Sequence, residues 1–439
     1  MREAFEKLAS ECFSSLREKE VASLWLSAET SSFVRFNKAR VRQPGDVEQR
    51  VLTLTLIRGA RHASETRTLS GDPAEDARAV HTSLVGLRAL LDVVPDDPHL
   101  LYDEAPQQST QESPSELPDP RDAVGSVLDF AQGHDLVGLW ASGALHRGHA
   151  SSLGHRHWRT THSFNLDFSL YADRDKAAKG QYAGARFDPS ALRDRIERAA
   201  AQVEILRRPE KRIDPGTYRA YLTPAALGEV LGLLAWDAFS VKSQRTKQTA
   251  LLWMLEKDAL LDARVSLAED ASSGGTPRFM PSGFIRPERV PLITEGRLAG
   301  TLVSPRSARE YGLEVNAGTS ERPASLTMQG GDLPEAKALE RLGTGLYVTN
   351  LWYTNYSDHA AGRITGMTRF ATTWVENGRM VAPLAVMRFD DTIYRLLGSE
   401  LEALTLEREW MPDGGTYGER STDSQLLPGA LVRAMTFTL

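Results

Sequence analysis

Five histidines, His146, His149, His155, His157 and His162, fall within seventeen residues. Imidazoles at this density are able to bind zinc, and His155 and His157, two apart, share one face of a strand. No cysteine or carboxylate spacing completes a tetrahedral site, and His155-Arg156-His157-Trp158 falls where a turn enters a strand. The expectation is therefore exposed histidines in a loop and hairpin. Ser272-Ser273-Gly274-Gly275-Thr276 resembles a phosphate cradle but lacks the Lys-Ser/Thr of a P-loop, and no clear helix follows. Asp358-His359 has no G-x-S-x-G elbow with which to build a triad. The single cysteine, Cys12, rules out an intrachain disulfide and suits a reducing compartment. It shares a helix face with Phe5, Leu8 and Leu16, where a packing thiol is expected.

One helix is informative for what it lacks. Thr223-Pro224 caps a helix running to about Phe239, and its sequence, PAALGEVLGLLAWDAFS, contains no histidine. It has no capacity to hold a metal through imidazoles.

The elements that would position such residues follow from composition and periodicity. The chain has 439 residues, 41% hydrophobic and 25% charged, which predicts two or three globular domains. A net charge of -6 argues against a nucleic-acid footprint, which needs clustered Lys and Arg. No apolar run reaches the roughly 18 residues of a membrane span, and MREAFEKLASE is not a signal peptide, so a cytoplasmic location is expected.

Residues 2–18 read as an amphipathic helix and Val21–Ser27 as a short buried strand. Ser32–Gln43 and Val47–Ile57 alternate in polarity, with Pro44-Gly45-Asp46 as the turn between them. Arg35, Lys38, Arg40 and Arg42 then decorate a solvated strand. Asp72-Pro73 opens a helix buried through Val80, Leu84, Leu87 and Leu91. Residues 103–121 hold four prolines and five acidic residues, too little apolar surface to offset ordering entropy, and are expected to be an exposed excursion. A helix over Arg121–Gly133, a strand at Leu136–Ser142, a strand alternating at Phe164, Leu166, Phe168 and Leu170, and a helix from Asp188-Pro189 follow. Arg207–Gly216 marks the boundary. The class is α+β: an N-terminal α+β domain, 1–206, and a larger β-rich domain, 217–439. In the latter, Thr217–Leu222 reads as a strand and Arg245–Leu255 as a continued helix.

Leu342–Met387 organises the second domain. Gly343 closes a short helix, Gly345–Trp352 reads as a buried strand, and Asn377-Gly378 turns a hairpin between Arg369–Val375 and Arg379–Val386. Glu295-Gly296-Arg297 is a similar turn.

GTGLYVTNLW (Gly343–Trp352), Thr365-Gly366 and WVENGRM (Trp374–Met380) resemble the C-terminal domain of the TldD/PmbA (TldE) family, the peptidase-related "modulators of DNA gyrase". SFVRFNKARVRQ (Ser32–Gln43) is similar to that family's first motif. In the TldD branch, the resemblance implies, the helix after Leu222 carries His-Glu-x-x-x-His, with zinc on the imidazoles and the glutamate as base. Alignment by the helix puts the ligand positions at Leu233 and Ala238 and the base at Leu234. The family's cysteine ligand falls at Thr422. Glycines usual before WVENG are replaced by Phe370, Thr372 and Thr373, narrowing a passage for peptide.

The resemblance thus implies a metal-free TldE/PmbA-like subunit with no cofactor and no catalysis alone. It would pair with a TldD-like zinc-bearing subunit and help enclose unfolded peptide substrate, with neither nucleic acid nor membrane as partner. The alternatives are a stand-alone homodimeric peptide-binding scaffold and a peptidase with an unconventional metal site, such as the histidine cluster.

Overall fold

Alternation of small polar and large apolar residues over long stretches gives this chain unusually long strands at its N-terminal end. The computed structural model describes residues 1–112 and 114–438; Ser113, inside the 103–121 excursion, and Leu439 lie outside the described residues. Strands β1 (Glu20–Asn37), β2 (Arg40–Arg58), β3 (Arg61–Thr68), β4 (Gln108–Glu112), β5 (Asp135–Ser151), β6 (Arg156–Asp173) and β7 (Lys176–Gly184) form one sheet. Its order is β3-β2-β1-β5-β6-β4, with β7 also on β6.

Helices α1 (Arg2–Ser14), α2 (Pro73–Leu91), α3 (Pro120–Phe130) and α4 (Pro189–Leu206) cover one face of this sheet. The even-numbered side chains of β1 show it: Leu24 and Leu26 pack with Phe5, Cys12 and Leu84, while Val34 and Phe36 pack with Val127, Ile196 and Phe168. Burial pushes the Cys12 thiol up to about 11, as a packing residue requires. The odd-numbered side chains point to the opposite face. There Trp25, Arg147, His149 and His157 lie beside one another across β1, β5 and β6, and that face receives the second half of the chain.

Several local expectations change. β1 is one strand where two were expected, and Pro44-Gly45-Asp46 lies inside β2. The chain reverses at Lys38-Ala39, both at positive φ (52° and 49°). Pro44 is tolerated because β3 pairs with β2 only from Val51 onward, so the earlier part of β2 is an open edge where a missing N–H breaks no ladder. The 103–121 excursion is exposed, yet Gln108–Glu112 adds to β6 as a parallel edge strand, with Ser109 and Gln111 also bonding the His157 and Arg159 side chains.

The second half is built on a branched sheet. β8 (Gly216–Leu222), β9 (Leu267–Asp270), β10 (Arg289–Thr294), β11 (Arg297–Leu298), β12 (Ser325–Met328), β13 (Gly345–Val348), β14 (Asn350–Asp358), β15 (Arg363–Arg369), β16 (Thr373–Glu376), β17 (Arg379–Pro383), β18 (Arg388–Thr392), β19 (Leu401–Pro412) and β20 (Ser424–Phe437) contribute. The main order is β11-β10-β9-β12-β20-β8-β13-β16-β17, and β20 also takes β18 and β19. The architecture is α+β, as expected.

Asn377 and Gly378 both sit at positive φ (51° and 74°), as a type I′ turn demands, and Glu295-Gly296 repeats the geometry. The strand before Asn377 is shorter than expected, because Phe370 at φ 57° separates β15 from β16. Gly345–Trp352 is likewise split at Thr349, whose carbonyl accepts the Thr223 hydroxyl at 2.6 Å. Arg245–Leu255 is not one helix: Val241–Arg245 and Leu252–Glu256 are separated around Lys247 at φ 58°.

Candidate functional site

Helix α5 (Pro224–Asp237) begins at Thr223, whose side chain accepts the Ala226 N–H, and continues the chain directly from β8. Ala226, Leu227, Val230, Leu231 and Leu234 face the core. The opposite side carries Ala225, Gly228, Glu229, Gly232, Leu233 and Trp236, and these line a cavity of about 1060 Å³. The cavity lies between the two halves of the chain: Trp25, Arg147, Asp167, Lys179 and Arg195 form one wall, and α5 with the ends of β19 and β20 forms the other.

Close approach shapes this wall. A Cβ on Gly228 would stand 2.8 Å from the Gln425 side-chain oxygen, so glycine lets α5 lie against β20. A Cβ on Gly232 would meet only Gln425, at 3.8 Å, so there glycine leaves space rather than relieving a clash.

Ion pairs join the two halves around the cavity. Arg195 of α4 pairs with Glu409 of β19, and Arg198 reaches Glu335 at 3.4 Å. Lys179 and Asp167 pair at 3.0 Å within the N-terminal sheet. Deeper in, Arg286 and Glu269 form a buried pair at 2.6 Å. Glu229 is different: it is the one charged residue of α5 before its last position, and protein around the cavity raises its pKa against the opposing pull of Lys179.

The Asp413–Asp423 loop closes the far side by inserting into the N-terminal sheet. Arg420 donates to Ser163 O at 2.9 Å and Ser163 Oγ at 2.7 Å, and Glu419 accepts from the Ser27 hydroxyl and pairs with Arg147 at 3.5 Å. Burial pushes the Arg420 guanidinium down to about 10. Thr422, on this loop, lines the cavity, and its carbonyl accepts from Thr276 Oγ1 at 3.0 Å.

Of the positions aligned with a zinc motif, Leu233 and Thr422 line the cavity, whereas Leu234 and Ala238 are buried in the core. Phe370, Thr372 and Thr373 do not line it. Gly274 of the serine-glycine loop carries no cradle: its carbonyl accepts from Arg159 at 3.1 Å, and a Cβ there would collide with Ser325 Oγ at 2.0 Å. His359 pairs with Asp237 at 3.2 Å, tying the end of α5 to the β14–β15 turn.

The histidines overturn their expectation. His149, His155 and His157 are buried, not exposed, and their ring centroids lie 5.5–6.0 Å apart. The reason is non-local: the turn at residues 278–286, more than a hundred residues later, covers the β5–β6 hairpin, with Phe279 stacked on His157 at 5.1 Å. Burial drives His149 down to about 3 and His157 to about 4.

The profile of the PmbA/TldA metallopeptidase C-terminal domain matches residues 215–439. The chain belongs to the PmbA/TldD family. Among solved structures, TldE from Thermococcus kodakarensis is 14% identical with a TM-score of 0.79, covering 99% of this chain and 100% of that one. A Thermotoga maritima protein described as a candidate modulator of a DNA gyrase is 13% identical with a TM-score of 0.77 and covers 99% and 100%. A Bacteroides thetaiotaomicron protein with a similar description is 15% identical, at a TM-score of 0.75 over 99% and 98%. At these identities the likeness is one of fold. Among curated proteins none matches the chain.

The metallopeptidase description of the matched domain implies a bound metal, and the donors present do not fit one. None of the residues lining the cavity is His or Cys, and among the described residues no group of three ligating side chains is placed to hold a metal. Laid on the cavity face of α5 instead of its core face, the His-Glu-x-x-x-His spacing falls on Gly228, Glu229 and Leu233. The glutamate is then present and both imidazole positions are lost. A lone charge in an otherwise apolar helix was the available signal for Glu229. The loop anchors Glu419 and Arg420 offered none, because their partners lie far away in sequence.

Proposed function

We propose that this chain is the metal-free, TldE/PmbA-like partner of a zinc-bearing TldD-like subunit and supplies part of the chamber in which unfolded peptide is cleaved. The observation that carries the reading is the cavity face of α5: Gly228, Glu229, Gly232 and Leu233 keep a wall of helix beside a large interdomain cavity, with no imidazole to activate water. Glu229, exposed to the cavity and without a hydrogen bond or ion pair among the described residues, is a candidate for contacting the peptide. Mixed ion pairs and the apolar surfaces of Trp25, Phe279 and Trp236 suit an extended polypeptide of varied sequence.

The test is metal content and size together. Chain purified without a metal-affinity tag is expected to contain far less than one zinc per molecule and to shift to a heteromer when mixed with a TldD-like subunit. Stoichiometric zinc, or a self-sufficient homodimer that ignores the partner, contradicts the proposal.

A further inference from the structure

The turn over residues 278–286 forms part of the cavity wall through Phe279, Met280 and Pro281, and it rests on the three buried histidines. Its Pro281 carbonyl accepts the Ser23 hydroxyl at 3.1 Å, and Ser23 Oγ in turn meets His149 Nε2 at 3.1 Å. Phe279 stacks on His157 and stands edge-on to Trp25 at 5.8 Å. Gly283, at φ 90°, lies so close to His155 that a Cβ would stand 3.1 Å from its ring. The Asp103 N–H donates to Ser282 O at 2.9 Å.

Each imidazole is satisfied on one side only. His149, His155 and His157 hydrogen-bond the hydroxyls of Ser23, Ser151 and Ser109, at 3.1, 2.6 and 2.7 Å. Their other ring nitrogens, His149 Nδ1, His155 Nε2 and His157 Nε2, are buried without a hydrogen-bond partner. The charged groups around the cluster are few. Asp103, before β4, stands 3.7 Å from His155 Nε2, and Arg156 of β6 acts on His149. The turn brings only Arg278 and Arg286, at its base, and Ser23 and Trp25 of β1 carry no charge. One carboxylate therefore faces three neighbouring imidazole rings and a guanidinium.

We propose that His149 and His157 are an acid-released latch that holds the 278–286 turn against the N-terminal sheet and so closes one wall of the cavity. A proton added to His149 Nδ1 or His157 Nε2 places an unsolvated cation beside two other imidazoles; lifting the turn admits water. Burial holds His149 near 3 and His157 near 4, whereas solvated imidazoles titrate near 6.5. Their folded values are depressed, so the latched state is favoured above about pH 6.5 and progressively disfavoured as the pH falls below it. At pH 5 the open-to-closed ratio rises roughly 30-fold per imidazole, and roughly 10³-fold for the two together. As a gate for peptide the latch rests on the chamber reading, but release of the turn is measured without any peptide.

Hydrogen–deuterium exchange of the full chain tests it, with rates corrected for intrinsic pH dependence. Between pH 7.5 and pH 5, amides of residues 278–286 are expected to lose protection at least 30-fold while Phe164–Leu170 of β6 keep theirs. His157→Phe, which retains an aromatic ring against Phe279 but cannot titrate, is expected to reduce that loss. Unchanged protection of the turn in the native chain, or loss of protection in the turn and β6 together, overturns the proposal whether or not the variant folds.

Discussion

Replacing Arg420 by methionine tests how the two halves of the chain are joined. The native guanidinium makes two short charge-assisted bonds to Ser163, with longer contacts to Ser31 Oγ at 3.3 Å and Gly143 O at 3.5 Å. Bonds of the short kind contribute about 2 kcal/mol each. Against them, holding the charge in a site where its pKa falls to about 10 costs about 3 kcal/mol. The net contribution is only about 1 kcal/mol, because the two effects nearly cancel. Methionine fills the volume but leaves the Ser163 carbonyl without its donor, adding about 1–2 kcal/mol. Urea unfolding of R420M is therefore expected to show a loss of about 2–3 kcal/mol, with amides of Asp413–Asp423 exchanging faster. A variant as stable as the native chain, with that loop still protected, refutes the account of the junction.

Glu20→Gln breaks a buried pair in which Arg88 donates at 2.8 and 2.9 Å, and should cost about 3 kcal/mol at pH 7. Arg88 lowers the Glu20 pKa, so its stabilisation is present above the ordinary carboxylate value of 4.5 and disappears as pH falls through the lower folded value; acid titration of stability should flatten there in the variant. Gly232→Ala should raise stability by about 0.5–1 kcal/mol, because the helix gains a better former and the Cβ enters open space, while Gly228→Ala should not, since it presses on Gln425. Glu229→Gln should leave the protein as stable or more stable at pH 7, because a carboxylate with a raised pKa opposes folding once ionised, yet weaken binding of an unfolded peptide measured by fluorescence anisotropy.

Elements whose signals are local were legible in the sequence. Asp72-Pro73, Asp188-Pro189 and Thr223-Pro224 each cap a helix, and all three side chains accept a first-turn N–H. Asn377-Gly378 needs two positive φ values and obtains them. Lys38-Ala39 adopts the same kind of conformation without glycine or asparagine, because fourteen consecutive pairs of β1 with β5 outweigh turn preference at its end. Phe370, at φ 57°, breaks a run of strand-forming residues that propensity alone would continue. The site was harder to read. Periodicity separates the faces of α5 only once the core is known, and the alignment that the resemblance implies puts Leu234 and Ala238 on the core side. Burial of His149, His155 and His157 depends on Phe279 and Gly283, which reach them from the other half of the chain.

Hydrolysis of an unfolded polypeptide, followed for this chain, for a TldD-like subunit and for their mixture, tests the central claim most directly. The account predicts no cleavage by this chain, little by the partner alone, and chelator-sensitive cleavage by the heteromer. Cleavage by this chain alone that persists through repeated purification contradicts it.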